Sequence, residues 1–486
     1  MNDAPPPAVD VAVIGAGIIG CAIAHELAKA RIDVALIDRE SDVGFGTSKA
    51  NSGIIHAGHH ASPDTLKGRL EWAGNQRWGP LAAELQIGFR TVGDLTVAFD
   101  EAERSTLERL AAQARSKGVT GVELWEADRL RVEEPRLSEE ICAALHGPTA
   151  AVVNPYEACF ALAEGASING TRLVLGTEIR SIETHGDGFT LITSGRPIRT
   201  RYVVNAAGLG ADHVERMVGL ESFTLTARKG EEYLLDKRVR NLVRHIVFPC
   251  PTPTSKGILV IPTYDGTLMV GPTAHDVEDR DDVTTTTAGA REVFAAVQRL
   301  VPGLSAGDCI AEFAGVRAVT DTGDFVIGST PVPGFVNAAG IQSPGLTAAP
   351  SIAEMVCEEL ALQGLDLTPD DAPARRVLPP RPVRDIDDTA RAALADRAPE
   401  FGRIVCRCEL VTEGEVVDAI QRGATTLDGV KFRTRAGMGR CQGGFCTWRV
   451  MQLLADRHDI PLSAVTKRGG GSWIVIDRDA VEVVAP

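Results

Sequence analysis

The sequence lacks the features that would assign it to a membrane or to nucleic acid. Its 486 residues contain no apolar run long enough to span a bilayer, because the stretch that begins at Val11 is interrupted by His25, Glu26 and Lys29. Basic charge is also scarce: 50 Lys and Arg stand against 65 Asp and Glu, and an acidic chain argues against nucleic acid as a partner. Residues 1–7 carry no basic segment, so no signal peptide is expected. We therefore expect a cytoplasmic protein without a transmembrane segment of its own.

The cysteines also lack the arrangement of a disulfide framework. Ten cysteines in a chain without a visible export signal imply reduced thiols. Six of them are scattered, and we interpret these as small core residues. The other four form two close pairs, Cys406-Arg-Cys408 and Cys441-Gln-Gly-Gly-Phe-Cys446.

A glycine motif lies near the start of the chain. Residues 9–14 are mostly apolar and β-branched, which predicts a buried parallel strand. Gly15-Ala-Gly17-Ile-Ile-Gly20 follows at once. In a dinucleotide site Gly15 makes the tight turn, Gly17 lets the backbone approach a pyrophosphate, and Gly20 lets the next helix pack on the strand.

A second predicted strand ends in Asp38, which is followed by Arg39. A carboxylate at this position accepts hydrogen bonds from the ribose hydroxyls of an adenosine. Strand, glycine turn, helix and acid together predict a nucleotide cofactor, although this motif alone does not separate FAD from NAD.

The composition of the chain changes between 366 and 399, where prolines and charged residues replace apolar ones, so we predict a linker. A compact segment over 400–470 follows, with 471–486 as a tail. Thr412-Glu-Gly-Glu415 predicts a capping box that opens a helix to Gly423. Two more helices are predicted, over 426–435 and 446–458.

The four patterned cysteines offer four soft ligands. The short Cys-x-Cys pair favours a [2Fe–2S] cluster over zinc, whose ribbons usually use wider Cys-x2-Cys clips, and cysteines without a ligand are the third interpretation. Cys446 is predicted to begin a helix, which would lower its pKa. The basic residues just before Cys441 either form a solvated helix face or compensate the charge of the thiolates. These residues are Lys431, Arg433, Arg435 and Arg440.

A second glycine-rich loop, Gly46-Thr-Ser-Lys-Ala-Asn-Ser-Gly-Ile-Ile-His-Ala-Gly58, is a plausible wrapping for a flavin. Here the chain resembles the D-amino-acid-oxidase-like superfamily of FAD-dependent oxidoreductases. The resemblance continues at Val203-Val-Asn-Ala-Ala-Gly208, through 315–328, and at Ala339-Gly-Ile-Gln-Ser-Pro-Gly-Leu-Thr347, so that it covers about residues 8–365. It implies a Rossmann-type α/β FAD-binding domain with an interleaved α+β substrate domain.

The resemblance also implies roles for single residues. Ile179 would contact the adenine side of FAD, and Gly208 would lie near the pyrophosphate. An early loop would line the flavin through Thr47, Ser48, Asn51, Ser52, Gly53 and Ile54. A late loop would approach the isoalloxazine ring through Gly340, Ile341, Gly345, Leu346 and Thr347.

The C-terminal cysteine motifs resemble the small helical [2Fe–2S] domain of bacterioferritin-associated ferredoxin. They are similar in particular to the version that ends the large subunit of anaerobic glycerol-3-phosphate dehydrogenases. This resemblance implies Cys406, Cys408, Cys441 and Cys446 as cluster ligands. It also implies a companion subunit that accepts electrons or anchors the protein to a membrane.

Catalysis needs an anion clamp for the substrate and a base. Arg317 is the first candidate for the clamp, because its planar fork matches a phosphate or carboxylate. Lys229 is the second, with a solvated charge at a strand end as its alternative interpretation. His56 and His59 are candidates for the base, each against a structural role, and Tyr264 is a further candidate.

The leading functional expectation is an FAD and [2Fe–2S] dehydrogenase that oxidises sn-glycerol 3-phosphate and passes electrons to a respiratory acceptor. The early loop looks more like that of L-2-hydroxyglutarate dehydrogenases, so a 2-hydroxy acid is the runner-up, followed by a secondary amine or opine. An oxidase that uses dioxygen and a metal-bound interaction module without catalysis are the remaining alternatives.

Overall fold

The computed structural model describes residues 8–251, 257–369 and 382–476. Within them the chain forms two compact units, of which the first comprises 8–39 and 43–369 and the second 40–42 and 382–476. Part of the predicted linker, 370–381, and part of the predicted tail, 477–486, lie outside the described residues. The three predicted boundaries, at 365/366, 399/400 and 470/471, stay predictions.

The first unit holds twenty of the described strands. They are β1 Ala8–Ile14, β2 Val34–Ile37, β3 Ile54–Ile55, β4 Phe89–Thr91, β5 Asp94–Ala98, β6 Glu123–Glu126, β7 Ala143–Gly147, β8 Ala151–Val153, β9 Arg172–Val174, β10 Ile179–His185, β11 Gly188–Thr193, β12 Ile198–Asn205, β13 Leu225–Leu235, β14 Ile246–Pro249, β15 Leu259–Pro262, β16 Leu268–Gly271, β17 His275–Val277, β18 Cys309–Thr320, β19 Val326–Ser329 and β20 Phe335–Ala339.

Eight α-helices of the first unit connect these strands. They are α1 Ile18–Leu27, α2 Leu66–Leu85, α3 Glu101–Ser116, α4 Ala127–Glu133, α5 Pro155–Ile168, α6 Ala211–Arg216, α7 Thr287–Leu300 and α8 Gly345–Leu362.

One sheet carries the nucleotide motif. Its strand order is β10-β11-β12-β1-β2-β9, and β20 pairs with both β12 and β19. The central strands β12, β1, β2 and β9 run parallel, and β1 is buried at Val11, Ala12, Val13 and Ile14. Parallel strands covered on both faces need such continuous apolar runs, so the first predicted strand is confirmed.

A second sheet of nine strands lies in the same unit. Its order is β17-β13-β16-β15-β14-β5-β7-β6, with β18 also paired to β13. The chain passes from the first sheet to β5–β7, returns for β9–β12, supplies β13–β18 to the second sheet and ends in β19 and β20 of the first. This alternation confirms the predicted interleaving of two subdomains. It also makes strands that are far apart in sequence neighbours in the same sheet.

The second unit is small and mostly helical. It contains β21 Ile404–Cys406, β22 Val411–Thr412, α9 Asp388–Arg397, α10 Glu413–Gln421, α11 Leu427–Thr434 and α12 Thr447–His458. The capping box is present, because Thr412 and Glu415 exchange hydrogen bonds between side chains and backbone at the start of α10. All three predicted helices of this segment are therefore confirmed to within two residues at each end.

Among the described residues, no helix combines the length and apolar character that crossing a bilayer requires.

Candidate functional site

The glycine motif forms a turn between β1 and α1 in which side chains have no room. A Cβ on Gly15 would lie 2.3 Å from the carbonyl oxygen of Ala206, and one on Gly20 would lie 1.8 Å from the carbonyl oxygen of Gly15. Gly15 also has φ +105°, which favours glycine. The bare backbone at this helix N-terminus suits a pyrophosphate, which needs close approach to N–H groups.

Asp38 and Arg39 occupy different environments at the end of β2. The Oδ2 atom of Asp38 accepts a hydrogen bond from the Ala16 N–H at 2.6 Å, so this carboxylate also stabilises the glycine turn. The Arg39 guanidinium is largely exposed and lies 3.3 Å from Oδ1 of Asp281. Their predicted contacts with the cofactor stay predictions.

The early loop connects the glycine motif to the second sheet. Ser48 Oγ accepts a hydrogen bond from the Ile18 N–H of α1 at 2.9 Å, and Thr47 Oγ1 donates to the Val316 carbonyl of β18 at 2.7 Å. A Cβ on Gly315 would lie 2.7 Å from the Cβ of Ala50. The loop is thus held between α1 and β18, and its predicted contacts with the flavin stay predictions.

The end of the early loop is tied to the late loop. Thr347 Oγ1 accepts a hydrogen bond from the His56 N–H at 2.9 Å and donates to the Ile54 carbonyl at 3.2 Å. Within the early loop, Asn51 Oδ1 accepts from the Gly53 N–H at 2.8 Å. The two loops predicted from separate motifs therefore meet at Thr347.

Helix α2 clamps the late loop from the other side, a contact that the motifs did not predict. Trp78 Nε1 donates to the carbonyl oxygens of Leu346 and Thr347 at 3.0 and 3.1 Å, and a Cβ on Gly74 would lie 2.0 Å from the Thr347 oxygen. Gly345 begins α8 and its N–H already donates to the Gln342 carbonyl. Gly340, with φ +64°, and Ile341 precede it in the same loop.

The two candidate bases lie in different places. The His56 Nε2 atom is 3.4 Å from Ser343 Oγ, which belongs to the late loop predicted to face the flavin ring. His59 is fully buried against β5, where its Nε2 lies 3.5 Å from Thr96 Oγ1 and 3.9 Å from Asp94 Oδ1. The geometry therefore favours His56 over His59 as the group nearest the reacting atoms.

Arg317 lies on β18, the strand that contacts the early loop, and is partly buried. A Cβ on Gly230 would lie 2.4 Å from its Nη2 atom, so the glycine in β13 makes room for the guanidinium. Nη2 donates to the Thr273 carbonyl at 2.9 Å, the one acceptor for Arg317 within the described residues. Burial lowers the pKa of Arg317, while the charge of Glu232 acts against this shift. A guanidinium with unused donors is suited to binding an anion.

The alternative interpretation of Lys229, a solvated charge at a strand end, is wrong. It lies in the middle of β13, only 7% exposed, and its Nζ is 2.7 Å from Oδ2 of Asp282. That hydrogen bond is the main reason why the pKa of Asp282 is lowered. Lys229 as a substrate clamp stays untested, but its charge is already compensated.

Three further predicted residues lie at separate positions. Tyr264 lies in the turn between β15 and β16, with its ring over Gly88, where a Cβ would be 2.3 Å from a ring carbon. Ile179 begins β10 and packs against the apolar core of the first sheet. Gly208 follows β12 with φ +55°. Their predicted roles stay predictions.

Glu232 is a residue of the site that the sequence reasoning missed. It lies on β13, 3% exposed, and its Oε1 accepts a hydrogen bond from Ser52 Oγ of the early loop at 2.5 Å. Its neighbour Glu231 points to the opposite face of the strand, where Thr286 and Tyr233 bind its carboxylate. The signal available in the sequence was the pair of adjacent acids, Glu231 and Glu232, close to the candidate clamp Lys229.

The four patterned cysteines come together in the second unit. Cys408 Sγ lies 3.3 Å from Cys441 Sγ, and Cys406 and Cys446 share a hydrogen bond. Cys406 and Cys446 are buried, whereas Cys408 is exposed. Four converging thiol groups fit a metal centre, and one exposed edge suits exchange of electrons with another protein.

The surroundings of two of these thiols favour the thiolate form. The pKa of Cys406 is lowered to about 5. The hydrogen bond from the Cys446 thiol contributes most to this shift, and hydrogen bonds from the backbone N–H groups of Gly437 and Glu409 contribute less. The Cys408 thiol and backbone N–H groups of the 441–446 loop lower the pKa of Cys441. Only the backbone N–H groups could also stabilise the sulfur charge of a bound cluster, because the thiol protons are lost when the sulfurs bind iron.

The lowered pKa predicted for Cys446 is wrong. Its pKa is raised, first by the hydrogen bond that it shares with Cys406 and then by burial. Cys446 does precede α12 directly, but a neighbouring sulfur that carries the negative charge outweighs the helix N-terminus.

The basic run before Cys441 is not a solvated helix face. Arg435 is only 5% exposed, and its Nε lies 3.0 Å from Oε2 of Glu409, the residue after Cys408. Burial also lowers the pKa of Lys431. Compensation of the thiolate charge stays a prediction.

Comparison with known proteins identifies both parts of the chain. The family model described as FAD dependent oxidoreductase (DAO) matches residues 10–359. The chain belongs to this family. A second model, the BFD-like [2Fe-2S] binding domain, matches residues 404–456.

Three relatives of this FAD-dependent oxidoreductase illustrate the similarity. It is 42% identical to glycerol 3-phosphate dehydrogenase of Caloramator mitchellensis over 98% of this chain and 99% of the relative. It is 28% identical to anaerobic glycerol-3-phosphate dehydrogenase subunit A1 of Haloferax volcanii, over 92% and 83%. The structure of L-alpha-glycerophosphate oxidase from Mycoplasma pneumoniae, with FAD bound, superimposes with a TM-score of 0.73 at 28% identity, over 77% of this chain and 99% of that one.

Family membership confirms the enzyme class and both cofactors. The protein is a flavoprotein oxidoreductase whose cofactors are FAD and a [2Fe–2S] cluster. The glycine turn and the cysteine group fit these cofactors, and the preference for a [2Fe–2S] cluster over zinc or cysteines without a ligand is confirmed. The roles of individual residues stay predictions.

Proposed function

We propose that this oxidoreductase is a dehydrogenase that oxidises sn-glycerol 3-phosphate to dihydroxyacetone phosphate. The observation that carries the proposal is the 42% identity, over almost the whole of both chains, to a glycerol 3-phosphate dehydrogenase. The reaction removes a hydride from the carbinol carbon and a proton from its hydroxyl group. FAD, when bound, supplies the acceptor of the two electrons.

Arg317 would bind the phosphate group of the substrate. Arg317 is partly buried, and one of its donors is used by the Thr273 carbonyl. The remaining donors can hold phosphate oxygens, and a buried charge-assisted pair of this kind orients the substrate as well as binding it.

His56 would take the hydroxyl proton. Its imidazole reaches Ser343 of the late loop, and its backbone N–H is fixed by Thr347. A base held by the same loop that is predicted to face the flavin ring can act on a carbon presented to that ring.

The [2Fe–2S] domain is the route that we propose for electrons to a respiratory acceptor. A companion subunit would dock beside the exposed Cys408. Phe445, which lies between the ligands Cys441 and Cys446, is 82% exposed, and Trp448 is 54% exposed. Exposed aromatic groups next to a redox centre are typical of a protein contact. We propose a cytoplasmic location, with membrane association through that subunit.

The test is a substrate panel on the purified protein, loaded with FAD and cluster, with a redox dye as acceptor. The panel contains sn-glycerol 3-phosphate, L-2-hydroxyglutarate, a secondary amino acid and glycerol. We expect sn-glycerol 3-phosphate to give the highest kcat/KM. Preference for L-2-hydroxyglutarate, which the early-loop resemblance keeps as the runner-up, would overturn the proposal.

Dioxygen as the acceptor is tested in the same preparation. Stoichiometric peroxide at the full rate without dye would make the protein an oxidase, and we expect only slow peroxide formation.

A further inference from the structure

One carboxyl group beside the early loop has no part in the function proposed above. Glu232 uses its Oε1 atom to accept the Ser52 hydrogen bond at 2.5 Å. Its Oε2 atom is also buried, and no donor contacts it within residues 8–251, 257–369 and 382–476. An acceptor buried without a donor is costly, and native structures rarely keep one unless something else satisfies it.

The surroundings of Oε2 connect it to the predicted substrate clamp. Glu232 lies on β13, which pairs along its length with β18, the strand that carries Arg317, and the two charges interact. The backbone at Gly271 also lies against the Glu232 side chain, because a Cβ on Gly271 would come within 3.2 Å of the Glu232 Cγ atom. A guanidinium that can donate to an anion and a carboxylate that can accept from a hydroxyl group thus lie on paired strands, and their charges interact.

We propose that Glu232 binds a hydroxyl group of the substrate and thereby makes the site selective for a polyol phosphate over a 2-hydroxy acid. The inference rests on the proposed function and names the group that sets its specificity. With phosphate at Arg317, the terminal hydroxyl of glycerol phosphate can donate to Oε2.

A 2-hydroxy acid carries a carboxylate where glycerol phosphate carries this hydroxyl. The carboxylate has no proton to donate, and it would bring a second negative charge to a buried site, where repulsion is strong. Glu232 would therefore favour glycerol phosphate in two ways. It accepts a hydrogen bond from the terminal hydroxyl, and it repels the carboxylate of a 2-hydroxy acid.

The protonation of Glu232 decides at which pH this selection operates. Burial raises its pKa to about 7, whereas the Ser52 hydrogen bond and the charge of Arg317 act in the opposite direction. Arg317 is the charged group that faces it, since Ser52 and Gly271 are uncharged. At pH 8 the carboxyl group is mostly ionised and rejects a carboxylate.

The test compares Glu232→Gln with the parent holoenzyme at pH 8, using two ligands that differ at one carbon. These are sn-glycerol 3-phosphate and the glycerate 3-phosphate of matching configuration, which has a carboxylate in place of the terminal hydroxyl. We expect kcat/KM for glycerol phosphate to fall about 10- to 100-fold in the variant, as expected for loss of a charged hydrogen bond. The Kd of glycerate 3-phosphate, read from the flavin absorption of the oxidised enzyme, should fall by about tenfold or more, because one charge is removed.

Glu312→Gln is the matched control, because Glu312 lies on β18 but is exposed. It should leave both quantities unchanged. Should Glu232→Gln lose its FAD, Glu232→Asp decides instead. The shorter Asp side chain keeps the negative charge but moves the carboxylate oxygen away from the substrate hydroxyl. This variant should therefore lower kcat/KM for glycerol phosphate while still binding glycerate 3-phosphate weakly.

The outcomes separate this inference from the function on which it rests. A parent enzyme that does not oxidise sn-glycerol 3-phosphate refutes the proposed function. An active parent whose Glu232→Gln variant keeps the same kcat/KM and the same Kd for glycerate 3-phosphate refutes the role of Glu232 alone.

Discussion

At the scale of single residues, two adjacent acids on one strand serve different purposes. Glu231 has both carboxylate oxygens bound by Thr286 and Tyr233, whereas Glu232 keeps one oxygen without a donor in the described part of the chain. The alternation of side chains along a strand separates the two. A satisfied acid stabilises the fold, and an unsatisfied one is available to a ligand.

The unsatisfied acid should make stability depend on pH. A carboxyl group whose pKa is raised in the folded state contributes stability that is fully present below about pH 4.5 and is lost as the pH rises through about 7. At pH 8 the Glu232→Gln variant should therefore be more stable than the parent, by up to about 3 kcal/mol. Release of flavin fluorescence on heating, recorded between pH 5 and pH 8, measures the difference.

We expect the gain in unfolding temperature to shrink towards pH 5. A gain that is equal at both ends of this range would mean that Glu232 does not titrate there.

Arg317 gives the second prediction at this scale. Arg317→Ala should raise KM for the substrate by about 100-fold or more while FAD content stays stoichiometric, because a buried charged hydrogen bond is worth roughly 1.5–3 kcal/mol and electrostatic attraction adds to it. Steady-state kinetics and the flavin-to-protein ratio measure the two effects.

Arg228→Ala is the control, since Arg228 faces Arg317 in the strand register but its guanidinium pairs with Asp276 at 2.6 Å. This variant should keep the KM of the parent. Unchanged kinetics for Arg317→Ala would eliminate its role as the clamp.

At the scale of elements, the capping box determines where α10 begins. Thr412 Oγ1 accepts the Glu415 N–H, while Glu415 Oε2 accepts the Thr412 N–H at 2.7 Å. The other Glu415 oxygen accepts the Val383 N–H at 3.1 Å, which fixes the chain at the start of the second unit. One side chain thus satisfies donors of two segments.

Thr412→Ala should destabilise the second unit by about 1 kcal/mol, because an N-cap acceptor is lost while the rest of the helix is unchanged. The temperature at which the visible absorption of the cluster bleaches measures the effect. Thr425→Ala, at an exposed position before α11, should leave that temperature unchanged, and an equal effect of both variants would contradict the capping argument.

At the scale of the whole molecule, each cofactor belongs to a different compact unit. The glycine turn and the two loops lie in the first unit, and the four cysteines lie in the second. Because each unit has its own apolar core, loss of one cofactor should leave the other in place.

Cys441→Ser should therefore lose most of its iron and the cluster absorption but keep stoichiometric FAD, because a thiolate is replaced by a poor ligand for iron. Iron analysis and visible spectra measure both. Cys142→Ser, in the first unit, should keep iron and flavin alike. Loss of flavin in Cys441→Ser would show that the units depend on each other.

Several features of this protein follow from the sequence by itself. The strand, turn and helix at residues 9–27, the capping box and each of the two close cysteine pairs depend on residues that are near one another along the chain. Backbone geometry and ligand chemistry constrain such short patterns strongly, so local spacing is sufficient to predict them.

The tertiary structure alone decided which candidates share a site. Ser52, Glu232 and Arg317 are far apart in sequence. Ser52 binds Glu232, and the charges of Glu232 and Arg317 interact, because β13 pairs with β18 and the early loop packs on β18. The same pairing buried Lys229, and the neighbouring Cys406 reversed the pKa shift predicted for Cys446. Local pattern does not encode which distant strands pair, and burial and the charge of neighbours, which set pKa and availability, depend on that pairing.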